Sequence, residues 1–579
     1  MSTTQQPKHA SLSSTTSLSS SDEKRATTIT TSTMPAARSA AADAESHLEV
    51  EPAWKPSKQV RLIVLGQCIV VFTISLDMTI LTSSLPAVSR ALNADAISTF
   101  WIASSYLLAN AVVQPVMAAL ADIFGRRGTI FTAVALFTIG SVICCAANNV
   151  AGMLAGRTIQ GIGGGGILSV NLIILSDLIP LRARAKYISL QQFVVSIGFN
   201  VAPVIGGALV NATTWRWLFY INLPFCAIAL AIVPFVLRYQ RPESTVQDKL
   251  SSVDWFGSGA FITGMTAFLV GVTWGGTQYP WSSAATLIPM IVGLAIVFLT
   301  GFYERFLATA TFLRLSLFHT WSAISIYFCS VLQAMCLFTE VYFLCLWLMS
   351  VKQYAPIDAG AYILAFGLVC VPVSGIVGPI IVRVGSYRWA IWTGWTLNTL
   401  ALGLLTLLST EIPTYAWVLL FITAGLGQGI LFIAHSIASQ AACQQKDAGH
   451  AMAMYSFMRS LGLCFGVALG GTIFQNFLQR RLAELGLPVA IAKNSEGFAH
   501  LLHTMADSEE KRQVLGAYAW AFQKLFATMC GISGVGLIVA AVLIKGHTLD
   551  QRLETQHVLK TEDERVRRRQ SVRSFVAPV

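Results

Sequence analysis

The chain has 579 residues, 54% of them hydrophobic and only 12% charged, with a formal net charge of +11. An ordinary soluble domain carries roughly 25% charged residues, so half that share over this length excludes a water-clad globule. The apolar runs are long, unbroken and without the alternation of barrel strands; in lipid that leaves helices of about 20 residues each, and the class is all-α integral membrane protein.

In chain order, residues 1–57 are rich in Ser, Thr and Ala and have no apolar run. They bury too little surface to offset chain entropy and are expected to form a disordered tail. No cleavable signal precedes the first apolar run, so the first helix is expected to act as an uncleaved anchor. Fourteen helices, α1 to α14, are predicted at 62–88, 99–120, 129–148, 151–178, 188–210, 217–238, 255–275, 284–303, 321–349, 358–382, 388–409, 414–437, 449–478 and 519–545. Alternate short loops hold Arg126, Arg127, Arg182, Arg184, Lys186, Arg238, Arg241, Lys249, Arg305, Arg314, Arg383, Arg388 and Lys446; the opposite set holds only Arg90, Arg216 and Lys352. Positive charge marks the inner face, which predicts both tails in the cytoplasm. Asn211-Ala-Thr, the one glycosylation sequon, then falls outside, close against α5. The tail 546–579 is basic, with Arg565, Arg567, Arg568, Arg569 and Arg573 able to meet anionic lipid. This pattern fits a membrane surface and excludes nucleic acid as partner.

Ten of the eleven cysteines sit inside apolar runs and Cys443 just past one, with no CxxC or Cys/His cluster. They read as small buried hydrophobes, and no metal or cofactor is expected. There is no HExxH, GxSxG, Gly-rich phosphate loop or nucleotide-binding domain, which argues against an enzyme and against direct ATP drive.

The chain contains itself twice. Gly198-x3-Ala202-x3-Gly206-Gly207 in α5 returns as Gly462-x3-Gly466-x3-Gly470-Gly471 in α13, each preceded by a serine, Ser196 and Ser460. Gln160-Gly161 in α4 matches Gln428-Gly429 in α12, and Ala118 through Gly125 matches Gly378 through Gly385. All three offsets lie near 265 residues. The implied organisation is a six-helix half at 58–240, a linker with two inserted helices at 241–305, and a second half at 306–545. Paired halves around a midplane site are a recurrent transporter design.

These residues resemble the major facilitator superfamily, within it the fourteen-span drug:proton antiporters and especially their fungal members. Ala121-Asp-Ile-Phe-Gly-Arg-Arg127 is similar to the family's loop 2–3 signature, with Ala118 where the leading Gly stands. Arg157-Thr-Ile-Gln-Gly161 resembles its α4 signature. Gly198 to Gly207, with Pro203 and with Ala202 at the central Gly position, resembles the antiporter pattern of α5. Leu76-Asp-Met-Thr-Ile80 and Trp215-Arg-Trp217 followed by Tyr220-Ile-Asn-Leu-Pro224 are similar to signatures of the fourteen-span and fungal members. The resemblance implies two pseudo-symmetric six-helix bundles plus two central helices, and proton-driven export of a drug, toxin or secondary metabolite by alternating access. It places the protein in the plasma membrane, the vacuolar membrane being the alternative, with a small molecule, protons and lipid as partners and a monomer as the working unit. Import of a siderophore or nutrient, or a receptor without transport, are the competing readings.

Charge inside a membrane is costly, so ionisable residues there are functional candidates. Asp77 in α1 and Glu340 in α9 are 263 residues apart, close to the repeat offset. Both are candidate proton carriers, since a carboxylate stripped of water holds its proton more readily; a structural hydrogen bond is the plainer reading of each. Arg157 keeps its proton and would hold a carboxylate, Asp77 foremost, in its ionised form; the resemblance gives it a part in proton coupling. Arg459 and His435 are secondary candidates. Asp122, Gly125, Arg126 and Arg127 form the expected cytoplasmic gate, and Gly198, Pro203, Gly206 and Gly207 the α5 motif. Tyr106, Asn200, Gln333, Phe338, Tyr342 and Trp347 would suit a large amphipathic substrate.

Overall fold

The computed structural model describes residues 56–546, apart from 237–244, residues 180 and 277, 309–310, 445–446 and parts of 494–507. Most of both expected tails, with Arg238, Arg241 and Lys446, therefore lies outside the described residues. Fourteen helices run in the predicted order: α1 Lys58–Thr79, continued by Leu81–Ala91; α2 Ala96–Phe124; α3 Arg126–Ala146; α4 Val150–Leu178; α5 Leu181–Ala212; α6 Asn222–Val236, entered by the turn Trp217–Tyr220; α7 Trp255–Trp274; α8 Ala284–Phe306; α9 Trp321–Ser350; α10 Pro356–Val384; α11 Arg388–Leu405; α12 Thr414–Ala441; α13 Ala448–Glu484; and α14 Glu509–Leu543. Twelve are long and apolar enough to cross a membrane. Of the other two, α6 is short, and α11 carries Arg388, Asn398 and three tryptophans in 18 residues.

Local signals set the starts. Asn149 accepts from the Gly152 N–H at 2.7 Å, Asp254 from Gly257 at 2.8 Å and Thr320 from Ala323 at 3.1 Å, each satisfying a donor the helix leaves orphaned. Ser508 does the same for Lys511, which starts α14 ten residues before its apolar run. Gly125 joins α2 to α3 at φ 90°, and Gly385 joins α10 to α11 at φ 72°. A side chain would meet nothing at either place, so the backbone conformation itself calls for glycine.

Two bundles pack with matching internal pairings. In the first, α4 lies against α2 and α3, and α1 against α5 and α6; in the second, α12 lies against α10 and α11, and α9 against α13 and α14. The bundles meet along α5–α10 and along α2–α13. Under the repeat α2 corresponds to α10 and α5 to α13, so these seams are the same contact with partners exchanged. Helices α7 and α8 form a hairpin through Gly264, Gly271 and Gly293, and α7 rests on α2 and α13. The outer face of α8 shows Phe298, Leu299 and Ile288, a surface suited to hydrocarbon.

Candidate functional site

The α5 motif is explained by its neighbour α1. Pro203 has no N–H, so the carbonyl of Phe199 loses its helical donor. The Thr79 hydroxyl donates to that oxygen at 2.7 Å, and the Ser83 hydroxyl donates to the Pro203 carbonyl at 2.6 Å. Such side-chain repair makes proline tolerable inside a membrane helix. Gly198 and Gly206 press against the α1 backbone at Phe72 and Ile80, whereas Gly207 presses against Ile357 of α10, across the seam. Asn211 is exposed in the last turn of α5.

This close packing holds Asp77 in the interior of the first bundle, with no exposure. Arg157 and Gln160 stand three residues apart on one face of α4 and meet it together. Arg157 Nη1 donates to Asp77 Oδ2 at 2.7 Å and to Gln160 Oε1 at 2.8 Å. Gln160 Nε2 donates to Asp77 Oδ1 at 2.9 Å and to Ser141 Oγ of α3 at 2.9 Å, and Asn222 Nδ2 of α6 donates to Asp77 Oδ1 at 2.8 Å. The guanidinium lies over the Tyr106 ring at 4.4 Å. Four helices thus converge on one carboxylate. A buried pair of this kind is specific rather than strongly stabilising, because desolvation offsets most of the attraction.

Glu340 occupies the matching place in the second bundle, also with no exposure. Gln428 Nε2 donates to Glu340 Oε2 at 2.9 Å and to Asn398 Oδ1 at 2.9 Å, Gln333 Nε2 donates to Gln428 Oε1 at 2.8 Å, and Asn398 Nδ2 donates to Ser533 Oγ at 3.0 Å. Among the described residues no cation pairs with Glu340. Three residues before Gln428, where Arg157 precedes Gln160, stands Gly425, packed on the Phe366 carbonyl of α10.

At the loop 2–3 end, Asp122 pairs with Arg126, with His450 Nε2 of α13 at 2.6 Å and with Arg314 Nη2 at 3.6 Å. Arg126 Nε also donates to Asp177 Oδ2 at 3.0 Å, and Arg314 Nη1 to Asp447 Oδ1 at 2.8 Å. The cluster therefore joins the two bundles through α2 and α13. Arg127 pairs with no carboxylate among the described residues. Buried Arg184 donates to the carbonyl of Ser176 at 2.6 Å, closing the end of α4, and to Gln440 Oε1 of α12 at 3.3 Å; burial lowers its pKa to about 10.

The remaining candidates separate. Asn200 lines a narrow gap between the bundles, with room for about one water, shared with Ser196, Phe199, Cys370, Phe432 and Arg459. Phe338 stands near it, edge-on to Phe199 at 6.3 Å and stacked on Tyr342. Tyr106 and Gln333 belong to the two carboxylate clusters. Trp347 packs on Trp417 and Phe421 in the interior of the second bundle. His435 is buried edge-on to Trp395 at 5.9 Å, and neither ring nitrogen has a hydrogen-bond partner among the described residues.

Residues 68–467 match the family described as the Major Facilitator Superfamily. The chain belongs to that superfamily. It is similar to the MFS transporter L2 of a Phoma species, 35% identical over 91% of this chain and 89% of that one. It is similar also to the efflux pump FUS6 of Gibberella fujikuroi, 30% identical over 91% and 97%, and to the MFS efflux transporter aclA of Aspergillus oryzae, 34% identical over 76% and 80%. Among solved structures, the human organic anion transporter MFSD10 shares the fold with a TM-score of 0.55 at 14% identity, covering 84% of this chain and all of that one. As a major facilitator, the protein is a multi-span membrane transporter rather than an enzyme.

Within that superfamily fold, Asp77 and Arg157 stand out from the sequence alone, but the residues that bind them together do not. Gln160 and Asn222 stood in motifs already quoted, and the repeat of Gln160 at Gln428 was the signal that a paired role existed. Ser141, Asn398 and Ser533 carried no such signal.

Proposed function

We propose that the protein exports a small amphipathic organic compound, of the drug, toxin or secondary-metabolite class, in exchange for protons. The observation that carries this reading is the buried Asp77–Arg157 pair tied by Gln160 and Asn222. A carboxylate held ionised by one fixed cation releases that cation when it is protonated, and the four helices around it are then free to rearrange. Proton binding on Asp77, with Glu340 as a second site, would favour one arrangement of the bundles, and proton release the other. The bundles would rock as units bounded at 58–240 and 306–545, with 241–305 riding between them. The Asp122 cluster would close the cytoplasmic face, with Gly125 setting the turn and Arg127 facing lipid headgroups or solvent. In this reading the protein works as a monomer in the plasma membrane with both tails in the cytoplasm, and Asn211 is a glycosylation site on the outer face. The names of the efflux pumps to which the chain is similar support the outward direction.

The test is accumulation of a panel of labelled amphipathic compounds in cells with and without the protein, before and after a protonophore. Lower accumulation that rises on protonophore is the expected result. Higher accumulation that the protonophore abolishes would mean proton-coupled import of a nutrient or siderophore. Binding without flux would mean a receptor.

A further inference from the structure

Four arginines are deeply buried among the described residues: Arg126, Arg157, Arg184 and Arg459. Three have a carboxylate or helix-end partner for the guanidinium, although Arg157 Nε, like that of Arg459, is itself unpartnered. Arg126 pairs with Asp122 and Asp177, Arg157 with Asp77, and Arg184 with helix-end carbonyls and Gln440. Arg459 in α13 differs. It is 8% exposed, its Nε has no hydrogen-bond partner, and no carboxylate pairs with it among the described residues. Its guanidinium lies 4.4 Å over the ring of Phe432, a contact worth far less than the hydration given up. A guanidinium cannot relieve this by losing its proton. A buried cation without a fixed counterion is a functional feature by default in a membrane protein.

Its position says which function. Arg459 is the one charged side chain lining the gap between the bundles, among the described residues. Around it stand apolar Val195, Phe199, Leu337 and Phe432, with the Ser196 hydroxyl and the Asn200 amide. Asn200 donates from Nδ2 to the Ser196 carbonyl at 2.8 Å and leaves Oδ1 unpartnered, an acceptor suited to a hydroxyl of the ligand and not to its anionic group. One cation, three neutral polar groups (Ser196, Asn200 and Gln428) and apolar walls define a chemistry: an apolar body carrying one acidic group.

We propose that Arg459 is the anchor for the anionic group of the transported molecule, and that the substrates are amphipathic organic acids bearing a carboxylate or a comparably acidic enol or phenol. This rests on the proposed rocking of the bundles, which would widen the gap, closed here to about one water, into the substrate path. A fixed cation between apolar walls attracts an acid and disfavours its neutral or cationic analogues. Glu340 lies one residue behind, reached through Gln428, which also lines the gap.

The experiment is binding to the purified full-length protein in detergent, read as a thermal shift and a titrated affinity, so it needs neither a direction of transport nor a driving ion. The probes are pyrenebutanoate, naphthylacetate and deoxycholate, each against its methyl ester. The acids are expected to stabilise the protein and the esters to bind at least about tenfold more weakly, the loss of one charge-assisted hydrogen bond. Arg459→Gln should remove the preference for acid over ester while keeping ester binding within about twofold, and Arg459→Lys should keep part of it. The lysine variant also guards against a folding defect, since it retains the charge. Equal binding of acid and ester by the natural protein, no binding of any acid, or an acid preference that survives Arg459→Gln would each overturn the assignment. Acid binding that depends on Arg459, together with absent protonophore-sensitive efflux, would uphold it and reject proton-driven export instead.

Discussion

The two bundles hold a carboxylate at the same place and treat it differently. In the first, α1 presents Asp77 to a glutamine from α4 and to Arg157. In the second, α9 presents Glu340 to a glutamine from α12 and to nothing charged, because Gly425 stands where the arginine would be. Duplication kept the amide that orients the carboxylate and not the cation that fixes its charge. The comparison teaches that oriented hydrogen bonding is the shared property of the pair, and that a strong electrostatic lock belongs to one bundle alone.

The sharpest way to break the comparison is to install the missing cation. Gly425→Arg should yield no folded protein at the cell surface, measured by immunoblot of the membrane fraction, because any side chain there meets the Phe366 carbonyl. Next in size is Asp77→Asn, expected to abolish protonophore-sensitive efflux. It also leaves Arg157 buried and unpaired, at a cost of about 3–5 kcal/mol, so the melting temperature of the purified protein should fall by several degrees. Adding Arg157→Gln should restore much of that temperature and none of the efflux, a separation that a purely structural pair would not give. Glu340→Gln should be milder: the amide keeps the Gln428 contact, no cation is orphaned, and the stability change should stay within about 1 kcal/mol while the pH dependence of efflux shifts. An equal loss of stability in Asp77→Asn and Glu340→Gln would erase the distinction. The smallest effect is expected from His450→Gln, which removes one partner of Asp122 and leaves Arg126 and Arg314; efflux should change by no more than a few-fold.

Much of this architecture was legible in the sequence, because apolar runs of bilayer length and a repeat near 265 residues are global signals that no single residue can obscure. Helix ends were less so. Helix α14 begins at Glu509 rather than near 519 because a polar, serine-capped extension precedes its apolar run, and α6 is split at Ile221 so that Asn222 reaches Asp77. Asp77, Arg157 and Glu340 could be singled out since charge in a membrane is rare. Asn222 and Ser141 could not, as neutral polar residues occur throughout apolar helices. Trp347 and Phe338 were indistinguishable by residue type, yet one is packed inside a bundle and the other stands near the gap. The choice depends on which helical faces meet, and that is written in the packing of Gly198, Gly206 and Gly207 rather than in the aromatics themselves.

One detail of that packing reaches further. Helix α5 carries Pro203, and its broken backbone rung is mended only by the Thr79 hydroxyl; the corresponding place in α13 holds Val467, with an ordinary amide. The two helices that the repeat relates are therefore mechanically unequal. Helix α5 has a joint bridged by a single Oγ–H bond, while α13 runs through the matching place without a proline; their seam partners α10 and α2 carry prolines of their own, Pro372 and Pro379 in the one and Pro115 in the other. Of the two helices related by the repeat, α5 bends the more readily, and the residue that bridges its elbow is a threonine two positions from Asp77.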